Sequence, residues 1–129
     1  MNLKRYNQYC RSKHASTYVN QWGGSDVWKI GGKVFALARV DKNDILGISF
    51  KTSEANFYFL REKDNYRPAP YLASRGMLWI QYYDSTLKHS LATDSDPIID
   101  EELAYYLDES YRLVSLNLTK KLQRELGLI

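Results

Sequence analysis

The 129-residue chain predicts an α+β fold, with an antiparallel sheet of about five strands flanked by helices. Three observations carry this. Val27–Ile30 and Lys33–Val40 are rich in β-branched and aromatic residues, and Gly31-Gly32 separates them. Two residues that tolerate positive φ between strand-like runs signal a tight hairpin. Asp41–Asp44 is a polar turn too short for a parallel crossover, so Ile45–Phe50 follows as a third antiparallel strand. At both ends of the chain, apolar residues recur at steps of three and four, the period of a helix.

The elements follow in order. Leu3 to about His14 reads as a helix, with Leu3, Tyr6, Tyr9 and Cys10 on one face and Lys4, Arg5 and Arg11 mostly on others. Tyr18–Gly24 reads as a loop closed by Gly23-Gly24. In the hairpin, Trp28 and Ile30 share a face. Alternation then puts Val34, Ala36 and Ala38 on one side, and Phe35, Leu37 and Arg39 on the other. Ser53 is a good N-cap and Glu54 suits the positive end of a helix dipole, which predicts a helix from Glu54 to about Asp64. Within it, Asn56–Leu60 has strand propensity, so helix or strand stays open there. Pro68 and Pro70 keep Tyr66–Tyr71 extended or turning. Met77–Tyr83 alternates as a central strand, with Met77, Trp79 and Gln81 on one side; Tyr71-Leu72 offers a short strand before it. Asp84–Pro97 is a polar loop. Ile99, Leu103, Leu107, Ser110/Tyr111 and Val114 then line one face of the clearest helix, with Asp100, Glu101 and Glu102 in its first turn. Leu118–Leu126 forms a last helical piece, capped by Asn117 or Thr119 and ended by Gly127. No linker or repeat divides the chain, so residues 1–129 read as one domain.

Composition bounds the function. One cysteine, Cys10, permits no internal disulfide and fits a reducing compartment. No stretch reaches the ~20 apolar residues of a membrane span, and no signal-like run opens the chain. These features predict a cytoplasmic protein without a membrane partner. The net charge of +3 is unevenly laid out. Lys4, Arg5, Arg11, Lys13, Lys29 and Lys33 stand against Asp26 alone in the first 33 residues. Residues 94–109 carry seven carboxylates and no cation. Such asymmetry allows one face to meet an anionic partner.

Several ordered pieces resemble the MmcQ/YjbR family of small bacterial proteins. They are Trp28-Lys29-Ile30 with Gly32-Lys33-Val34-Phe35-Ala36; Ser49-Phe50-Lys51-Thr52-Ser53; Arg67-Pro68 with Tyr71-Leu72; and Asp108-Glu109-Ser110-Tyr111 followed by Val114, Leu118 and Lys120-Lys121. The family carries a Trp where this chain has Met77, and here Trp79 follows two residues later. The resemblance implies a YjbR-like sheet with helices in the order α-β3-α-β2-α, similar to secretion chaperones. It also implies DNA binding through hairpin wings, and no catalytic residues.

The residues themselves offer little chemistry. Cys10, His14 and His89 fall in no metal-ligand spacing, and Asp94/Asp96 and Asp100–Glu102 are explained by a polar loop and a helix's first turn. Ser16, Ser74 and Ser110 lack a nucleophile elbow, and Gly23-Gly24 and Gly31-Gly32 lack a phosphate loop's spacing. No cofactor, metal or enzymatic activity is expected. The expected function is DNA binding through phosphate contacts from Lys29, Lys33, Arg39, Arg67 and Arg75, with a protein-interaction or chaperone-like module as the alternative.

Overall fold

A computed structural model of the chain describes residues 1–41, 44–70, 72, 76–83 and 97–129. Helix α1 (Leu3–Arg11) starts at Asn2, whose side chain accepts from the Arg5 N–H at 2.9 Å. It stops at Ser12, short of His14, and Ala15 then turns the chain at a φ of 59°. Helix α2 (Glu54–Leu60) starts at Ser53, which accepts from the Asn56 N–H. The helical alternative therefore holds for Asn56–Leu60. The cap fixes the start, and burial of Phe57 and Leu60 outweighs the run's strand propensity. It ends before Asp64, and Asn65, at φ 69°, turns the chain into the next strand. Pro97 opens helix α3 (Pro97–Leu116), where its missing N–H loses no intrahelical bond. Thr119, one of the two expected caps, starts helix α4 (Lys120–Glu125) by accepting from the Leu122 N–H.

Strands β1 (Thr17–Gln21), β2 (Ser25–Ile30), β3 (Lys33–Asp41), β4 (Asp44–Lys51), β5 (Tyr66–Pro68) and β6 (Trp79–Tyr82) form one sheet in the order β1-β2-β3-β4-β6-β5. All its pairings are antiparallel, and the three strands expected as a meander are consecutive neighbours. Six strands replace the expected five. Tyr18–Gln21, the first part of the expected loop Tyr18–Gly24, belongs to β1 and pairs with β2, because Trp22, Gly23 and Gly24 all adopt positive φ and reverse the chain tightly. Tyr66–Pro68, read as a connection, pairs with β6 at the sheet edge, where proline is tolerated. Leu72 lies in a turn; its expected strand partner Tyr71 and most of the expected loop 84–97 fall outside the described residues.

One expectation about faces is corrected. Trp28 pairs with Ala36 but Lys29 pairs with Val34, so Phe35 is the extra residue of a bulge. Strict alternation fails there. Phe35 joins Ala36 and Ala38 in the core, edge-on to Tyr111 of α3, while Val34 moves to the side of Leu37 and Arg39.

The core lies between the sheet and its helices. Trp28, Ile30, Phe35, Ile48, Phe50, Ile80 and Tyr82 meet Tyr6, Leu60, Leu103, Leu107 and Val114. As predicted, α3 buries Leu103, Leu107 and Val114, with Ile99 and Tyr111 partly buried. Ser110 on that face is fully buried and completes the sheet's hydrogen bonding. The β3–β4 ladder ends at Ala36↔Phe50, and the next groups, the Phe35 carbonyl and the Lys51 N–H, both bond to its hydroxyl at 2.6 and 2.9 Å. Buried backbone groups need such partners. Two carboxylates of α3 bond to other elements. Glu102 accepts from Tyr66 (2.6 Å) and Lys63 (2.7 Å), and Asp108 accepts from Tyr9 (2.6 Å) and pairs with Lys13.

Candidate functional site

Because the helices pack on one side, the sheet's other face is free of helices among the described residues. One row crosses it on all six strands: Val19, Val27, Leu37, Ser49, Gln81 and Arg67 are successive cross-strand partners. Apolar residues fill the β1–β3 end, and polar ones the β4–β5 end. Ser49 and Gln81 are each 2% exposed. Gln81 is fixed from two sides. Arg67 donates Nε–H to its Oε1 at 2.8 Å, and its side chain lies over Gly47, where a Cβ would sit 2.6 Å from Nε2. The Arg67 guanidinium itself rests 4.1 Å from the Tyr83 ring centroid.

Two hollows open on this face. One, of about 450 Å³, lies among Trp22, Lys33, Leu37, Lys51, Leu72 and Trp79 and reaches past the sheet's end to Val114 and Asn117 at the C-terminal end of α3. The other, of about 470 Å³, lies among Trp22, Leu37, Arg39, Ser49, Leu72 and Gln81. They share Trp22, Leu37 and Leu72, so together they form a trough with Trp22 as a common wall. Trp22 is 63% exposed, an unusual setting for so large a ring.

The two sides of the sheet differ in charge. On the helix side, four carboxylates of α3 are matched: Asp100 with Arg5, Glu102 with Lys63, Asp108 with Lys13 and Glu109 with Arg112. On the helix-free side, register places Lys29, Arg39, Lys51 and Arg67, with Lys33 at the rim. Among the described residues no carboxylate pairs with any of these five, and none lines either hollow.

The structure thus gathers Lys29, Lys33, Arg39 and Arg67 on one side; Arg75 lies outside the described residues. Lys51, Trp22, Ser49 and Gln81 were not singled out from sequence. The alternation of Trp79 with Gln81 pointed toward this face, but only the register aligns it with Ser49 and Leu37. The hairpin is not a projecting wing. At its tip, a Cβ on Gly31 would lie 2.7 Å from Leu118 Cδ1 and 3.2 Å from Leu122 Cδ2, so the tip is packed on the α4 region.

A second polar cluster lies on the helix side. Asp26, 7% exposed, accepts from Tyr18 (2.6 Å), Asn7 (2.9 Å) and Asn20 (3.0 Å), and Asn7 in turn accepts from Trp28 Nε1. Burial alone would push the Asp26 carboxyl up; the three donated hydrogen bonds outweigh it and hold the carboxyl below its ordinary value. The cluster ties β1 and β2 to α1. Cys10 is buried, and burial pushes its thiol well up, away from nucleophilic use. His14 Nε2 lies 2.7 Å from the Leu126 carbonyl. His89, Ser74, Asp94 and Asp96 lie outside the described residues. Among the described residues, no three His, Cys, Asp or Glu side chains are grouped to hold a metal ion, and no helix is long and apolar enough to cross a membrane.

No curated protein matches the chain. A crystal structure of a protein from Pseudomonas syringae is similar, with a TM-score of 0.62 at 18% identity over 88% of this chain and 99% of that one. That likeness supports the α+β fold. A model of the YjbR family matches residues 11–113, which hold the whole sheet and most of α3. The ordered pieces from Trp28 to Tyr111 fall inside that match, and on this evidence the chain belongs to the YjbR family.

Proposed function

We propose that the protein is a non-catalytic DNA-binding protein of the YjbR type, which presents the helix-free face of its sheet to the phosphate backbone. One observation carries the reading: five cations without acidic partners among the described residues lie toward this face, while the carboxylates of α3 lie in the opposite layer, four of them matched by cations. Phosphates need cations, and nearby carboxylates would repel them. Lys29, Lys33, Arg39 and Arg67 are the proposed contacts, with Lys51 added by the register. Arg75 keeps its proposed role from the sequence. Binding is tolerant of sequence, because the proposed contacts are strand-borne cations that meet phosphates and not base edges. No catalytic step, cofactor or metal enters this reading, and a cytoplasmic location, where Cys10 stays reduced, fits it.

The test is DNA binding by fluorescence anisotropy across a salt series. Each lost phosphate contact should reduce the magnitude of the salt slope by roughly 0.9 on duplex DNA. Lys29→Glu with Arg39→Glu should therefore weaken binding on every sequence, with a slope shallower by about 1.8 and an unchanged circular dichroism spectrum. Absence of binding by the wild type at low salt would overturn the proposal. The exposed Trp22 and Met77 favour a protein-interaction module, and that reading would then take its place.

A further inference from the structure

We infer that the trough takes unpaired bases, so that the preferred ligand is single-stranded nucleic acid; this rests on the DNA-binding reading and narrows it. A duplex presents its phosphates outward and keeps its bases stacked and paired. It could meet Lys29 and Arg39 on the surface, but it has nothing to place in two adjoining hollows of about 450 and 470 Å³. A single strand does. Its bases offer flat faces to aromatic rings while its phosphates follow the cations alongside.

Each part of that recognition has a counterpart here. Trp22 stands between the hollows with 63% of its surface open, held at φ 53° in the β1–β2 turn. A ring so exposed adds little to the core and is free to stack. Trp79, 5% exposed, contributes to the lining of the first hollow, and Leu72 to both. Lys33 and Lys51 border the first hollow and Arg39 the second, one or more cations beside each base position. In the second hollow lies Gln81. The Arg67 Nε–H can only donate, so it must meet Oε1, and Nε2 is directed away from Arg67. The cations Lys33, Lys51 and Arg39 on the lining argue for an anionic occupant rather than a basic peptide.

The experiment compares a labelled 12-nucleotide oligothymidylate with a 12-base-pair duplex at the same salt, on wild type and Trp22→Ala. The single strand should bind more tightly than the duplex and quench tryptophan fluorescence. Trp22→Ala should weaken single-strand binding roughly ten-fold, the usual scale for losing one stacked base. It should leave duplex binding and the thermal midpoint unchanged, since the ring is mostly exposed. Duplex binding at least as tight as single-strand binding, or no effect of Trp22→Ala, would overturn the inference while leaving the DNA-binding reading standing. Loss of binding to both probes at low salt would overturn both. Displacement of the oligonucleotide by oligoglutamate at matched charge and affinity would show an acidic-peptide groove instead, and would overturn the inference as well.

Discussion

Asp26 shows how little of a residue's role its sequence position reveals. In the sequence it is the lone acid among six cations; in the fold it is a buried acceptor for Tyr18, Asn7 and Asn20. Its carboxyl is held below the ordinary value, so its stabilisation is full above roughly pH 4, the unfolded range, and is lost as pH falls through the folded value. Asp26→Asn should therefore cost most near pH 6, on the order of 1.5–3 kcal/mol. The gap to wild type should narrow toward pH 2. A gap of equal size at both pH values in urea denaturation would mean that the charge is not what the network holds. Gly47 is a second case. Alternation along β4 places it on the helix-free face, but nothing local requires glycine there. The requirement comes from Gln81, which lies across it. Gly47→Ala should cost about 1–3 kcal/mol, and much of that should vanish in a Gln81→Ala background, where the clash is gone. Additive losses in the double-mutant cycle would refute the contact as the cause.

Elements were legible where the signal was local. Caps fixed the starts of α2 and α4, Gly-Gly fixed the β2–β3 hairpin, and a helical period fixed α3. The misses have non-local causes. Strand β1 forms because β2 offers it an edge, and β5 because β6 does; neither run is strand-like enough alone to compete with a loop reading. The bulge at Phe35 is set by α3, whose Tyr111 takes that ring and whose Ser110 takes that carbonyl. Helix α3 thus holds the sheet by two mechanisms that mutation separates. Leu107→Ala removes a fully buried side chain and should cost about 2–5 kcal/mol. Ser110→Ala removes almost no volume but strands the Phe35 carbonyl and the Lys51 N–H, at about 1–3 kcal/mol. Hydrogen exchange at the Lys51 amide should rise locally in Ser110→Ala; unchanged protection there would mean that the hydroxyl is dispensable.

At the scale of the whole molecule, the sheet separates two charge environments that the sequence shows only as an uneven string. The candidate site could not be read from that string, because Lys29, Arg39, Lys51 and Arg67 come from four strands and meet only through register. Lys33 was legible as a hairpin-tip cation, but not as the rim of a hollow. The separation makes a prediction that net charge alone does not. Lys4 is exposed on α1, on the helix side, and Arg39 is exposed on the opposite face. A helix is about 10 Å across, so Lys4 stands at least that far from any ligand on the helix-free face. The screening length is about 30 Å at 0.01 M salt and about 8 Å at 0.15 M. Reversal of either charge should therefore weaken DNA binding at 0.01 M, since the field of the whole protein reaches the ligand there. At 0.15 M, Lys4→Glu should have no effect, whereas Arg39→Glu should still weaken binding, because it removes a contact rather than a distant field. Equal losses from the two variants at 0.15 M would place the DNA elsewhere on the molecule, and a loss from Lys4→Glu alone would place it on the helix side.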